Sequence, residues 1–235
     1  MSLDDSTGTR RPVLAELVGP AGAGKTTQAE ALCRRNKDVT LAPIPILREA
    51  RSVPYFIRNF LFLLPIVFRL RRDTRSLSWD ATKMMIHLNG WDSKLAPPAP
   101  SDIAVTLLDH GPVFMLATLL EFVPQIADFQ RSQRWFDSML KKWSSLLAMV
   151  IWLDAPYPVL AERINTRNRR HIVKGKGEDE IIDFLARYRK SFERVMLMLA
   201  AEGSGLRVLR FETDQELERS ITDRIVAALE MPKGG

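Results

Sequence analysis

The stretch Gly19-Pro20-Ala21-Gly22-Ala23-Gly24-Lys25-Thr26 has the spacing of a loop that binds phosphate. Its glycines let consecutive backbone N–H groups turn toward an anion without a Cβ in the way, and a helix that begins where the loop ends directs its positive end to the same point. Lys25 is placed to reach the β- and γ-phosphates of a nucleotide, and the hydroxyl of Thr26 is a ligand for Mg²⁺. We therefore predict that residues 19–27, up to Thr27, bind ATP and that Lys25 is catalytic.

Two acids end apolar segments elsewhere in the chain and are candidates for a second metal ligand. Asp109 ends IAVTLLD, and Asp154 ends MVIWLD. Open α/β sheets bind ligands at the carboxyl ends of their strands, so an acid there can approach the magnesium. We predict that Asp109, which precedes His110, holds Mg²⁺ through water or accepts a proton from a substrate hydroxyl; the alternative is that it caps the next helix. For Asp154, capping is the preferred interpretation, because Pro156 stands where a first helical turn begins.

Short apolar segments that favour strands alternate with segments that favour helices. The candidate strands are residues 13–18, 39–47, 103–109, 148–153 and 206–211. The candidate helices are residues 25–35, 52–72, 80–95, 112–147 with an interruption near Pro124, 156–167, 178–201 and 214–230. Strands that are apolar throughout belong to parallel sheets covered by helices on both faces. We predict one α/β domain over residues 12–232 with a five-stranded parallel sheet, preceded by a flexible tail of residues 1–11.

Prolines limit two of these segments. Pro43 and Pro45 predict that the second strand is short or lies at an edge of the sheet, since proline has no N–H for the ladder. Pro65 is expected to kink or break the helix over residues 52–72.

Composition excludes several classes of protein. The chain has 235 residues, of which 46% are hydrophobic and 26% charged, and this balance excludes an intrinsically disordered protein. A single cysteine, Cys33, excludes a disulfide framework and a cysteine-built zinc site, and the three histidines lack a metal-binding spacing. The longest apolar run, residues 60–68, is shorter than the ~20 residues that cross a membrane. We expect a protein of the reducing cytoplasm that is soluble or attached to a membrane surface.

Positive charge is concentrated in two segments. The net charge is +6; residues 48–75 contain seven arginines and two acids, and residues 163–176 contain six cations and no acid. Such clusters occur in enzymes that surround phosphates with cations and in nucleic-acid-binding proteins. Because no recognised nucleic-acid motif accompanies the charge, we expect no nucleic-acid polymer as a partner.

Three features together resemble the thymidylate kinase and deoxynucleoside kinase group of P-loop kinases. They are the phosphate loop, the turn Asp109-His110-Gly111-Pro112, and the stretch VIWLDAPYPVLAERINTRNRR that begins at Val150. The last is similar to the group's strand, Asp-x-Pro turn, helix with Glu-Arg and arginine-rich lid. The resemblance covers the first 35 residues and roughly residues 105–230, whereas residues 50–100 have no counterpart that we recognise.

The resemblance implies a fold, a donor and a lid. The fold is that of P-loop NTPases, with sheet order 2-3-1-4-5, and the donor is ATP with Mg²⁺. Arginines of a lid near residues 163–178 would close over the phosphates, since phosphoryl transfer depends on positioning and charge neutralisation. The arginines that match this lid are Arg163, Arg167, Arg169 and Arg170, and the first three are our catalytic candidates. Arg163 and Arg167 are four residues apart and are expected on one helix face; the alternative is a solvated basic loop.

The acceptor side departs from the group's pattern. The group usually has Arg after the acid of strand 3, where this chain has His110; thymidylate kinases carry Arg-Glu-Pro-Gly-Gly after strand 2, where this chain has Arg48-Glu49-Ala50. We predict that Arg48, Glu49 and His110 contact the acceptor, and an exposed salt bridge is the alternative for Glu49. The leading function is ATP-dependent phosphoryl transfer to a small hydroxyl- or phosphate-bearing acceptor, with a nucleoside or nucleotide first. A P-loop ATPase or a nucleotide-regulated binding module is the alternative.

Residues 56–72, FIRNFLFLLPIVFRLRR, leave two interpretations open. An apolar middle with flanking arginines is typical of a helix at a membrane surface, in which phenylalanines insert and arginines face lipid. The residues concerned are Phe60, Phe62, Phe68, Arg69, Arg71, Arg72 and Arg75. The preferred interpretation is a buried helix that covers the acceptor site, with Arg48, Arg51 or Arg58 on an acceptor phosphate. A homodimer also stays open.

Overall fold

The computed structural model describes residues 12–74, 77–95, 105–128, 130–168, 171–203 and 205–230. At the centre of the molecule lies a parallel sheet of five strands: β1 (Val13–Val18), β2 (Val39–Leu41), β3 (Val105–Asp109), β4 (Leu147–Asp154) and β5 (Arg207–Glu212). The strands lie in the order β2-β3-β1-β4-β5. The predicted α/β class and five-stranded parallel sheet are confirmed, as is the strand order that the resemblance implied. The predicted tail, residues 1–11, lies outside the described residues.

A helix follows each strand along the chain. The α-helices within the described ranges are α1 (Lys25–Arg35), α2 (Val53–Thr74), α3 (Trp79–Gly90), α4 (Asp92–Leu95), α5 (Pro112–Phe122), α6 (Gln130–Leu146), α7 (Tyr157–Thr166), α8 (Glu178–Ala201) and α9 (Glu218–Glu230). Short 3-10 turns cover Ala50–Ser52 and Pro124–Ala127. α1 packs against α9, whereas α5 packs against α8 and α6 against β4.

The helices cover the sheet on both faces. Residues 15–18 of β1 and residues 149–154 of β4 are all buried, although successive strand residues point to opposite faces. The predicted covering of both faces is therefore confirmed. Aromatic side chains fill part of this core: Trp152 meets Phe192 edge to face, with ring centroids 5.7 Å apart.

Prolines affect two elements differently from the prediction. β2 ends at Leu41 and does not reach residue 47, because Pro43 and Pro45 follow within four residues and cannot donate to the ladder. Pro65, in contrast, lies inside a continuous α2. It is on the exposed face of the helix, one turn after the exposed Leu61, where water can replace the N–H that proline lacks.

α2 has a buried face and an exposed face. Its inner side chains join the core: Tyr55, Phe56, Leu63, Ile66, Val67 and Leu70. By length and composition the segment Ala50–Arg72 could cross a membrane, with a mean hydropathy of 1.5, and only 33% of its most apolar window is buried. The prediction of a buried helix is therefore wrong for its outer face. Of the three phenylalanines considered for insertion, Phe62 and Phe68 are exposed, whereas Phe60 packs on Trp79.

A chain of hydrogen bonds joins the inner face of α2 to α3. The side-chain amide of Asn59 donates to the carbonyl of Tyr55 at 2.8 Å, and Asn59 Oδ1 accepts from Asn89 Nδ2 at 2.7 Å. Gly90 packs against this amide: a Cβ at residue 90 would lie 2.4 Å from Asn59 Nδ2. The two bonds hold Asn59 in place, so the helix pair depends on the absence of a side chain at Gly90.

Gly90→Ala is expected to lower the free energy of unfolding by about 1–3 kcal/mol through overpacking, although the same change in an unobstructed helix stabilises by up to about 1 kcal/mol. Urea denaturation of wild type and variant measures the difference. In an Asn59→Ala background the added methyl has room, so the effect of Gly90→Ala should change sign. Equal destabilisation in both backgrounds would contradict this account of the α2–α3 contact.

Candidate active site

The carboxyl ends of the strands meet at one edge of the sheet. The parallel register sets Leu17 of β1 opposite Asp109 of β3, and Asp154 of β4 opposite Glu212 of β5. The predicted phosphate loop, residues 19–26, leaves β1 at this edge and enters α1 at Lys25. The structure thus brings the loop and both strand-end acids to the same edge.

Three glycines of the loop, Gly19, Gly22 and Gly24, have positive φ, a backbone conformation that favours glycine. Gly19 has φ +143°, and a Cβ there would lie 2.0 Å from the carbonyl oxygen of Leu153. Gly24 has φ +83° and is the N-terminal cap of α1, with no side chain bonded across the helix end. The positive end of α1 therefore points into the loop without an internal acceptor.

Lys25 lies folded into the phosphate loop. Its Nζ donates to the carbonyl oxygens of Gly19 at 2.8 Å and Pro20 at 2.9 Å. Burial lowers the pKa of Lys25 to about 8, the Asp109 carboxylate opposes that shift, and the guanidinium of Arg167 adds to it. Thr26 stands next to Lys25 in the first turn of α1 and is half-buried, and Thr27 is exposed. The lysine is thus a partly desolvated cation in a loop that an anion can enter.

Asp109 ends β3 with a carboxylate that is not engaged in a helix cap. Its Oδ1 is buried and accepts no hydrogen bond from the described residues, and it lies 3.3 Å from His110 Nδ1, a contact that is an ion pair when the imidazole is protonated. His110 is the one non-glycine residue with positive φ in the described part of the chain, at 61°, and its ring packs on Phe114 with centroids 4.5 Å apart. The carboxylate is therefore not committed to a helix cap, and 17% of the side chain is exposed at this edge of the sheet.

Glu16 caps the helix that Asp109 was considered to cap. The two carboxylate oxygens of Glu16, a fully buried residue in the middle of β1, accept from the N–H groups of Val113 at 2.8 Å and Phe114 at 2.9 Å. Burial raises the pKa of Glu16 to about 8, against the effect of these two backbone bonds. The capping alternative for Asp109 is wrong. The signal that sequence reasoning missed was a single acid inside the apolar strand VLAELV.

Asp154, at the end of the next strand, has a structural role. Its Oδ1 accepts from Arg189 Nη2 at 2.6 Å and from the N–H of Ala155 at 2.9 Å, and its Oδ2 accepts from Trp152 Nε1 at 3.1 Å. No side chain caps α7. The capping interpretation of Asp154 is therefore wrong: its carboxylate fixes α8 to β4 through an ion pair.

Arg163 ties the phosphate loop to the end of β5. Its guanidinium donates to the carbonyl of Gly22 at 3.3 Å and to the side chain and carbonyl of Thr213 at 2.9 and 3.1 Å. Arg167 does not share a helix face with it as predicted, because α7 ends at Thr166 and Arg167 has extended backbone angles. The two arginines reach the site from different local structures.

Arg167 adds positive charge near Lys25, and the neutral ring of His171 lies close to both cations. Burial lowers the pKa of His171 to about 4, and Arg167 and then Lys25 act in the same direction. The ring of His171 packs edge to face on Phe184, with centroids 5.6 Å apart. Sequence reasoning missed His171, although it lies within the basic segment. Arg169 and Arg170 lie outside the described residues.

The residues predicted for the acceptor follow β2 and β3, which are neighbours in the sheet. His110 adjoins Asp109, as the chain requires, and Arg48 is exposed. Glu49 accepts from Arg51 Nε at 2.9 Å at the surface, which is the salt bridge considered as its alternative. The structure therefore gives Glu49 a local partner and leaves its contact with an acceptor a prediction.

Comparisons with known proteins find similarity in structure but not in sequence. No family model matches the chain, and no curated protein matches it. Two similar solved structures are a deoxyadenosine kinase from M. mycoides with bound dATP and a shikimate kinase from Bacteroides thetaiotaomicron. The first is 15% identical, with a TM-score of 0.49 over 93% of this chain and 100% of that chain. The second is 16% identical, with a TM-score of 0.48 over 93% of this chain and 99% of that chain.

Gly111→Ala is expected to destabilise the fold by about 1–3 kcal/mol, because a Cβ at residue 111 would lie 2.6 Å from Cδ of Glu16. Gly177→Ala is the matched control: Gly177 also caps a helix, α8, but nothing lies within 4 Å of its Cβ position. Chemical denaturation of both variants, and of each in a Glu16→Ala background, gives the coupling energy. A Gly111→Ala effect that persists unchanged without Glu16 would show that this carboxylate does not set the position of α5.

Proposed function

We propose that this protein is an ATP-dependent phosphotransferase, which moves the γ-phosphoryl group of ATP to a small hydroxyl- or phosphate-bearing acceptor. The observation that carries the proposal is a glycine-rich phosphate loop beside a strand-end acid, Asp109, with a buried oxygen that accepts no hydrogen bond. A nucleoside or nucleotide is the first candidate for the acceptor. Because ATP is the donor, we also propose a cytoplasmic location.

The donor half of the site suits a triphosphate with Mg²⁺. The loop N–H groups and the uncapped start of α1 favour phosphate oxygens, and Lys25 is a partly desolvated cation. The oxygens of Thr26 and Asp109 are hard ligands of the kind that Mg²⁺ takes, directly or through water. When bound, the ion neutralises charge on the β- and γ-phosphates.

Phosphoryl transfer requires the chain to position the reactants and to neutralise the charge of the phosphates. The acceptor oxygen bonds to the γ-phosphorus while the bond from phosphorus to the β–γ bridging oxygen breaks, so ADP leaves. Asp109 has an unengaged acceptor atom for the proton of the acceptor hydroxyl. Lys25 and Arg167 supply positive charge at this edge of the sheet, and Arg163 holds Gly22 of the loop in place.

A P-loop ATPase or nucleotide-regulated binding module is the second candidate, and the acceptor side is what favours it. The Arg48-Glu49 segment lacks the Pro-Gly-Gly of thymidylate kinases, and Glu49 pairs with Arg51. The two candidates differ in one measurable property, the rate of ADP release. A phosphotransferase releases ADP slowly alone and faster with its acceptor, whereas the rate for an ATPase or a binding module does not change when acceptors are added. A panel of nucleosides, nucleoside monophosphates and other small alcohols, read by ADP release and by phosphate transfer to the acceptor, separates them.

Asp109→Asn is expected to lower acceptor-dependent ADP release by about a hundredfold or more, with little change in melting temperature, because the charge serves catalysis and no helix cap is lost. Asp154→Asn is the matched control at the end of the neighbouring strand. It should lower the free energy of unfolding by about 3 kcal/mol, since it leaves Arg189 without its ion-pair partner in a mostly buried position. Loss of stability in Asp109→Asn with nearly normal turnover would overturn the catalytic assignment.

The affinity for a non-hydrolysable ATP analogue with Mg²⁺ is expected to fall as pH rises through about 8. The pKa of Lys25 is about 8 in the free protein, so the cation that attracts phosphate is lost above that pH, by a factor approaching tenfold per pH unit. Calorimetric titration between about pH 7 and pH 9 measures it. Lys25→Ala should bind weakly throughout and without this fall. A flat profile for the wild-type protein would show that the Lys25 ammonium does not contribute to binding.

A further inference from the structure

The outer face of α2 is an apolar strip at the surface of the molecule. Five exposed side chains follow one another at spacings of three or four residues, which places them in a line along the helix. They are Val53 (37% exposed), Ile57 (54%), Leu61 (61%), Leu64 (43%) and Phe68 (67%). A continuous apolar strip of this length is uncommon on a protein that contacts only water, and marks a docking surface.

The charges along this strip have a single sign. Between Val53 and Arg72 the helix contains arginines and no acidic residue, and Arg58 and Arg71 are exposed. A partner that matches this face therefore has both apolar groups and negative charge.

Helix α6 extends the same surface. A cavity of about 340 Å³ opens between α2 and α6, with Phe62 and Pro65 on one side and the exposed Arg131 and Arg134 on the other. Its inner wall includes the buried Trp135. Apolar surface and arginines thus continue together past the edge of the helix.

We propose that the outer face of α2, together with Arg131 and Arg134, docks on a lipid bilayer that contains anionic phospholipids. Apolar side chains enter the boundary between headgroups and acyl chains, and the arginines pair with headgroup phosphates. A second copy of the chain fits less well, because a two-fold interface sets this face against itself and would place its exposed arginines, such as Arg58 and Arg71, against like charges.

α2 lies on such a membrane and does not span it. Its inner face belongs to the core, where Asn59 is 3% exposed and bonds to Asn89 of α3. Withdrawing the helix into a bilayer would expose that core and break those bonds. The helix therefore docks while it stays packed on α3.

Sedimentation with vesicles tests the proposal. The full chain is mixed with vesicles of equimolar phosphatidylcholine and phosphatidylglycerol, or of phosphatidylcholine alone, at roughly 0.1 M and 1 M salt. We expect binding to the anionic vesicles at low salt, and strong weakening at high salt and without phosphatidylglycerol. No nucleotide is needed, so the result is independent of the proposed phosphotransferase activity.

Matched variants locate the surface. Leu61→Gln with Phe68→Gln should weaken vesicle binding about tenfold or more for each side chain, and Arg71→Gln with Arg134→Gln about fivefold for each. The controls are Leu197→Gln, at a residue 72% exposed on α8, and Arg194→Gln on the same helix; both should bind like wild type. ADP release by Leu61→Gln with Phe68→Gln, measured without vesicles, should equal that of wild type.

Three results would overturn the proposal. The first is no binding of wild type to anionic vesicles at low salt. The second is equal weakening by the α2 and α8 variants. The third is a wild-type dimer in analytical ultracentrifugation that Leu61→Gln with Phe68→Gln converts to a monomer, with no vesicle binding; a second copy would then occupy this face.

Discussion

A buried carboxylate in the central strand fixes the geometry on which the candidate site depends. Glu16 lies within β1 and accepts from two N–H groups at the start of α5. Removing a carboxylate from water is costly, and the two bonds and the positive end of the helix offset only part of that cost, so the pKa of Glu16 stays raised to about 8. Because α5 begins three residues after β3 ends, this contact also determines the short turn that contains Asp109, His110 and Gly111. Glu16 thus positions Asp109, the acid that ends β3.

Local features of the sequence were enough to predict the architecture. Apolar strands with strand-end acids, glycines at the loop and a clear apolar stripe in residues 178–201 are encoded in short stretches of chain, and the elements they predict agree with the structure. The phosphate loop was predictable for the same reason, because its glycines and Lys25 are consecutive. β2 was overestimated, since the prolines that follow it outweigh its β-branched residues.

The contacts that organise the site were not predictable, because their partners are far apart in sequence. Glu16 and Val113 are 97 residues apart, and Arg163 and Thr213 are 50 apart. A pattern within one segment carries no information about such a pair. The interpretation of Asp154 as a cap was wrong for this reason: its partner, Arg189, lies two elements further along the chain. The sequence also did not predict that one face of α2 is exposed, since the burial of a helix depends on which elements pack around it.

The phosphate loop is linked to the end of β5, and the helix that follows the loop is linked to α9, although α9 carries no residue of the predicted nucleotide site. Arg163 joins the carbonyl of Gly22 to Thr213 just after β5, and Gln28 of α1 donates to Thr222 of α9 at 2.7 Å. Thermodynamic linkage is reciprocal, so any ligand that shifts the loop also shifts the equilibrium of the segment from β5 to α9. The order of that segment is therefore coupled to the binding of any ligand at the phosphate loop.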